Sequence, residues 1–267
     1  MFEILMSTVQ ETGHDKNVAL FQGMVTVCVS YGTSYNPSRD ALKVSALNEM
    51  VAMARQTITN YHEVVALLKK AKAEREIAYK ALSPLTTRLI MSLRSSGSAK
   101  RFDEMAQSYS RKIRGMRLSK KATEPEVQSL SADVVAPKSI SASQMSFDNR
   151  LENFDKFVQF LSLIPEFNPN ENELKISELF IRRDQLRMLN DSVLELTSEC
   201  DRLRMMRNVM LYKPVVGMLD ISLDVKSYVR SVFGGSSEQV KRLAKYNLRG
   251  SRMTFGEELP ATEPAPL

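Results

Sequence analysis

Apolar side chains recur along this chain in steps of three and four. Val44, Leu47, Val51, Ala54, Ile58, Tyr61, Val65 and Leu68 form one series, and Leu186, Leu189, Val193, Leu196, Cys200 and Leu203 form a second. A spacing of 3.5 residues puts every member on one stripe of an α-helix. Each series therefore predicts a long helix packed nearly parallel or antiparallel to others. Ser38–Ser83 and Asn170–Lys213 contain neither Gly nor Pro, and Pro84 and Pro214 end the two runs. A single helix over either run would extend about 65 Å; a helical hairpin within the run fits the same periodicity.

Shorter helices are predicted at Asn17–Tyr31, Leu85–Ser95 and Phe102–Gly115, and again at Phe147–Leu163, Val215–Phe233 and Glu238–Leu248. Gly97 and Gly234–Gly235 suit helix C-terminal caps, with Ser98 and Ser236–Ser237 opening the helices that follow. No strand alternation of useful length interrupts this pattern, so the expected fold class is all-α.

The two series belong to a longer correspondence. YNPSRDALKVSAL at 35–47 matches FNPNENELKISEL at 167–179, a displacement of 132 residues. Arg55/Arg187, Glu63/Glu195 and Arg75/Arg207 keep that displacement, Tyr79–Lys80 meets Tyr212–Lys213 after a one-residue slip, and Leu20–Phe21 can be laid on Asn153–Phe154. Similarity sustained over forty residues at one displacement indicates an internal duplication. In each copy Asn-Pro imposes an extended or turn conformation, which puts Ser38 and Asn170 where an N-cap belongs. Asn170 with Glu173 has capping-box spacing, and Asp40 and Glu171 add negative charge near the positive end of the helix dipole. The expected organisation is two tandem helical-bundle repeats at 1–118 and 147–249, joined by a Ser/Ala/Lys/Pro-rich linker at 119–146 and followed by a mobile tail at 250–267.

MSTVQETGH (Met6–His14), YNPS (Tyr35–Ser38), RKIRGMR (Arg111–Arg117), SFDNRLENFDKF (Ser146–Phe157), IPEFNPNE (Ile164–Glu171) and LDVKSYVRSVFG (Leu223–Gly234) together resemble a bacterial family of tandem-repeat, all-helical proteins. The likeness covers the chain except Met1–Leu5 and about the last twenty residues. The family has no assigned activity, so no functional residue carries over. What the resemblance implies is an all-α, intracellular, non-catalytic protein.

Composition narrows the chemistry. With 267 residues, 43% hydrophobic and 25% charged, the chain is long enough and apolar enough for one large or two modest cores. Ten Gly and ten Pro are few, which suits long helices. Two Cys cannot build a disulfide framework, which implies a reducing, cytoplasmic setting. The N-terminal residues lack a basic region followed by an apolar stretch, so no signal peptide is expected. Val18–Tyr31, the most apolar segment, is too short and too interrupted to span a bilayer.

Only two His are available, His14 and His62, and neither has the Glu-x-x-His spacing of a di-iron helix bundle. No metal and no cofactor are expected. Cys28 and Cys200 sit at apolar positions and read as small buried hydrophobes. Phe233-Gly234-Gly235-Ser236-Ser237 lacks the preceding strand and the Gly-Lys-Ser/Thr ending of a nucleotide loop. An enzyme with a pocket between the repeats would need a buried polar cluster that the sequence does not display.

The net charge of +6 is uneven. Residues 1–118 hold seventeen Lys/Arg against ten Asp/Glu, whereas 147–249 hold sixteen against fifteen. The excess gathers at Lys100, Arg101, Arg111, Lys112, Arg114, Arg117, Lys120 and Lys121, a segment suited to phosphate contacts without sequence readout. The leading expectation is a non-enzymatic structural or scaffold protein that self-associates or binds another protein through helical surfaces, as an oligomer or a filament. The alternative is a nucleic-acid-binding accessory protein using residues 100–121.

Overall fold

A computed structural model describes residues 2–115 and 146–250, with side chains from residue 13 onward. Among the described residues the chain is all-α, with eight α-helices and no strand. They are α1 (Phe2–Val29), α2 (Val44–Lys80), α3 (Leu82–Ser95), α4 (Lys100–Ile113), α5 (Phe147–Ser162), α6 (Ile176–Tyr212), α7 (Met218–Phe233) and α8 (Glu238–Ala244). The linker expected at 119–146 and the tail expected at 250–267 lie outside the described residues, apart from Ser146 and Gly250.

Both long helices are continuous. Each is 37 residues long, they start 132 positions apart, and each follows a single 3-10 turn, Asp40–Leu42 and Asn172–Leu174. Their N-termini lie five residues later than the capping pattern predicts. After the Asn-Pro pair the chain makes the 3-10 turn, and Lys43 and Lys175 leave it in extended conformation. Ser38 and Asn170 therefore precede the turn, and no side chain caps it. At the other ends α3 starts at Leu82, because Pro84 sits in its first turn, where a missing N–H costs no helical hydrogen bond. Gly97 and Gly234 adopt positive φ (+80° and +82°) after α3 and α7, backbone that side chains other than Gly rarely take. Ser237 accepts a hydrogen bond from Val240 N–H to open α8.

Two compact units result. Unit 1 comprises Met1–Ala66 with Thr197–Leu267, and unit 2 is Leu67–Leu196. In unit 1, Phe21, Met24 and Cys28 of α1 and Leu47, Val51 and Ala54 of α2 pack with Met218, Ile221, Val225 and Val229 of α7 and Leu243 of α8. In unit 2, Phe154, Phe157 and Leu161 of α5 and Leu179 and Leu186 of α6 pack with Leu82, Leu89 and Leu93 of α3 and Ala106 and Ile113 of α4. The packing thus departs from the expected division at 118/147: each core takes its first helices from one half of the sequence and its last helices from the other. The cause is the unbroken α2, which carries the chain out of unit 1 and into unit 2 before α3 forms.

Candidate functional site

The basic segment divides on folding. Lys100, Arg101 and Arg111 are exposed on α4 and Lys112 is half-buried, whereas Arg117, Lys120 and Lys121 lie outside the described residues. Lys100/Arg111 and Arg101/Lys112 are eleven positions apart, about three helical turns, so the four cations share the outer face of α4. Glu104 interrupts that face. Arg114 is engaged within the unit. Its guanidinium donates to Ser83 O (3.2 Å), Thr86 Oγ1 (3.5 Å) and Thr87 Oγ1, tying the C-terminal end of α4 to the first turn of α3. In this arrangement the side chain staples α4 to α3.

Unit 2 also carries two adjoining surface grooves. One, of about 280 Å³, lies between the start of α3 and the start of α6 and is bordered by Pro84, Leu85, Arg88, Glu178 and Arg182. The second, of about 440 Å³, shares Ala78, Arg182 and Gln185 with the first and continues to Met188 and Ser192. Ile77 (68% exposed), Ile181 (49%) and Met188 (70%) are large apolar side chains in water on the same unit. Grooves of this kind accept an amphipathic helix.

Unit 1 contains a polar network that the periodicity does not announce. Asn17 is 3% exposed on the apolar face formed by Phe21, Met24 and Cys28. Its Nδ2 donates to Arg249 O (2.6 Å) and to the Tyr212 hydroxyl (3.1 Å), and its Oδ1 accepts from Arg249 N–H (3.0 Å). The Tyr212 hydroxyl also meets His14 Nδ1 at 2.8 Å. Burial pushes the Tyr212 phenol above its ordinary pKa, with the Asn17 hydrogen bond acting the other way. The extended segment after α8 is thereby strapped across α1, and Tyr246 lies so near Gly23 that a Cβ there would come within 2.3 Å of its ring.

In unit 2 a polar side chain of α5, Arg150, is held in a comparable way. It donates from Nε to Ile113 O (2.9 Å) and from a terminal nitrogen to Tyr79 O (2.8 Å), with its guanidinium 5.1 Å from the Tyr79 ring centre. Burial pushes the Tyr79 phenol up to about 12.

A shallow cleft of about 290 Å³ between α1 and α2 holds Asp15, Arg55, Thr59 and His62. His62 Nε2 is 3.9 Å from Asp15 Oδ2 and both are about half exposed, while Arg55 bonds Gln22. Cys28 is fully buried, and burial pushes its thiol up to about 12, far from the range in which a thiolate forms at neutral pH. Among the described residues no three His, Cys, Asp or Glu side chains are grouped to hold a metal ion, and no helix is long and apolar enough to cross a membrane. No family model, curated protein or solved structure matches the chain.

Proposed function

We propose that the protein is a non-enzymatic assembly subunit, a chain of two copies of one helical repeat that associates with further copies of itself. The observation that carries this reading is the construction of the cores, each of which is closed by helices from both halves of the sequence. Halves that complete one another within a chain do so equally between chains, because exchange of an identical element uses contacts that already exist. The duplication is supported by the two 37-residue helices, their preceding turns and the common displacement of 132. Exposed Ile77, Ile181 and Met188 add apolar surface for higher-order contacts. Light scattering of the purified protein, before and after refolding at high concentration, is expected to give masses above the 30.2 kDa of one chain. A strictly monomeric particle throughout overturns the reading.

The second reading is a nucleic-acid-binding accessory protein. The shared outer face of Lys100, Arg101, Arg111 and Lys112 on α4 favours it.

A further inference from the structure

Along α6 the positions Ile181, Gln185, Met188 and Ser192 follow one another in steps of four, three and four, and none of them is buried. Steps that alternate in this way mark a stripe able to pack along another helix. The core of unit 2 takes a different side of α6, through Leu179 and Leu186. Ile181 and Met188 stay 49% and 70% exposed. The two grooves of the unit run into one furrow along this stripe, because Ala78, Arg182 and Gln185 border both, with Ile181 in the first and Met188 in the second. Ile77, next to Ala78 on α2, adds a further apolar side chain in water, 68% exposed.

The charges around the furrow narrow what can cover it. Arg88, Glu173, Glu178 and Arg182 border it, two cations and two anions. A partner carrying one sign of charge gains nothing from so even a border. A second copy of the same surface offers both signs in turn and meets no net repulsion. The outer face of α4 is the contrary case, since Lys100, Arg101, Arg111 and Lys112 there would repel their own duplicates.

We infer that this furrow is the surface through which two copies of the chain join, with their α6 helices antiparallel about a two-fold axis near Gln185. The inference rests on the assembly reading above and names the contact it uses. In a two-fold contact, residue i of one copy meets residue j of the other, and j meets i. Gln185 lies between Ile181 and Met188 in sequence, so the axis sets Ile181 of each copy beside Met188 of the other. Two apolar contacts form at once, and the side chains that water now surrounds become mutually buried. Every residue involved belongs to unit 2, so the contact is complete within one unit of each copy.

The test uses full-length protein that has not been denatured, followed by sedimentation across a concentration series. Ile181→Lys and Met188→Glu each set a charge against an apolar side chain at both contacts, and each is expected to weaken pairing at least about tenfold. Both positions face water in the single chain, so helix content by circular dichroism is expected to stay unchanged. Mixed one to one, the two variants bring the introduced cation to the introduced anion across one contact and keep Ile181 against Met188 across the other. The mixture is therefore expected to pair more tightly than either variant alone. Single variants that pair like the unmodified protein, or a mixture no tighter than its components, overturn the inference. If a variant fails to fold, peroxide oxidation of the unmodified protein decides. Met188 is expected to oxidise several-fold more slowly at concentrations where pairs form than in dilute protein, and an unchanged rate overturns the contact. Unmodified protein that is monomeric at every concentration overturns the assembly reading itself. Unmodified protein that assembles, with furrow variants assembling equally well, leaves that reading standing and removes only the furrow.

Discussion

Replacing Asn17 with Ala removes three hydrogen bonds from a site that solvent barely reaches. Arg249 loses a partner for both its N–H and its C=O, and the Tyr212 hydroxyl loses a donor. Each bond contributes about 0.5–1.5 kcal/mol net. The three together give about 3 kcal/mol, in a site where the Asn17 side chain itself is 3% exposed. The chain has no Trp, so far-UV circular dichroism during urea titration is the suitable readout. A loss of about 3 kcal/mol at a slope of about 3 kcal/mol/M moves the midpoint down by about 1 M. Amide exchange at Tyr246 and Arg249 is expected to accelerate beyond the global change, since the strap detaches first. The exposed neighbour substitution Lys16→Ala is expected to stay within about 0.5 kcal/mol of the unmodified protein. An Asn17→Ala midpoint within about 0.2 M of the parent, or an Arg249 amide that remains equally protected, refutes the reasoning.

Two further outcomes follow from the same coordinates. Cys28 has its pKa raised from 9.0 to about 12 by burial, so the unfolded chain loses this proton before the folded one does. Its contribution to stability is complete below pH 9 and is lost as pH rises towards 12; alkaline titration should show that fall, Cys28→Ser should diminish it, and a slow-reacting Cys28 at pH 8 should become reactive to iodoacetamide only in denaturant. On α4, changing Lys100, Arg101, Arg111 and Lys112 to Ser tests the second reading. If that reading holds, low-salt affinity for random nucleic acid collapses and the salt slope shrinks by about 0.7–0.9 per lost contact, whereas Arg114→Ser lowers the unfolding midpoint by about 2 kcal/mol equivalent and leaves the affinity alone. No binding by the unmodified protein at low salt eliminates it.

The helices were legible because their signal is local. Leu47, Val51, Ala54, Ile58 and Tyr61 occupy the three-and-four spacing of a stripe, and all are buried. The stripe does not say what covers it. Leu47 would be satisfied equally by α3 of its own half or by α7 of the other, and the choice depends on contacts 185 residues apart for Arg39 and 232 for Asn17. The starts of α2 and α6 are not legible, because Asn-Pro followed by Ser38 or Asn170 carries the marks of a cap, while the 3-10 turn that follows has no comparable signature. The engagement of Arg114 is not legible in the sequence, since a cation within a basic run gives no sign of the Ser83 carbonyl it serves. Asn17 did leave a trace. Positions 17, 21, 24 and 28 fall on one face of α1, and a lone amide among Phe21, Met24 and Cys28 marks a polar group that must find partners inside.

The interleaving of the two cores also dictates an order during synthesis. Unit 2 is one unbroken stretch of chain, complete once Leu196 has left the ribosome, whereas unit 1 waits for α7, α8 and the strap that ends near Arg249. At about 5–20 residues per second, the interval from Ala66 to Leu243 lasts about 10–35 s. Throughout it Val18, Phe21, Met24, Val25 and Cys28 stand ready on the nascent chain with their covering helices not yet made. Helix α1 is therefore made well before α7 and α8 and is covered only once they arrive, so its apolar face stays open to water for the whole of that interval.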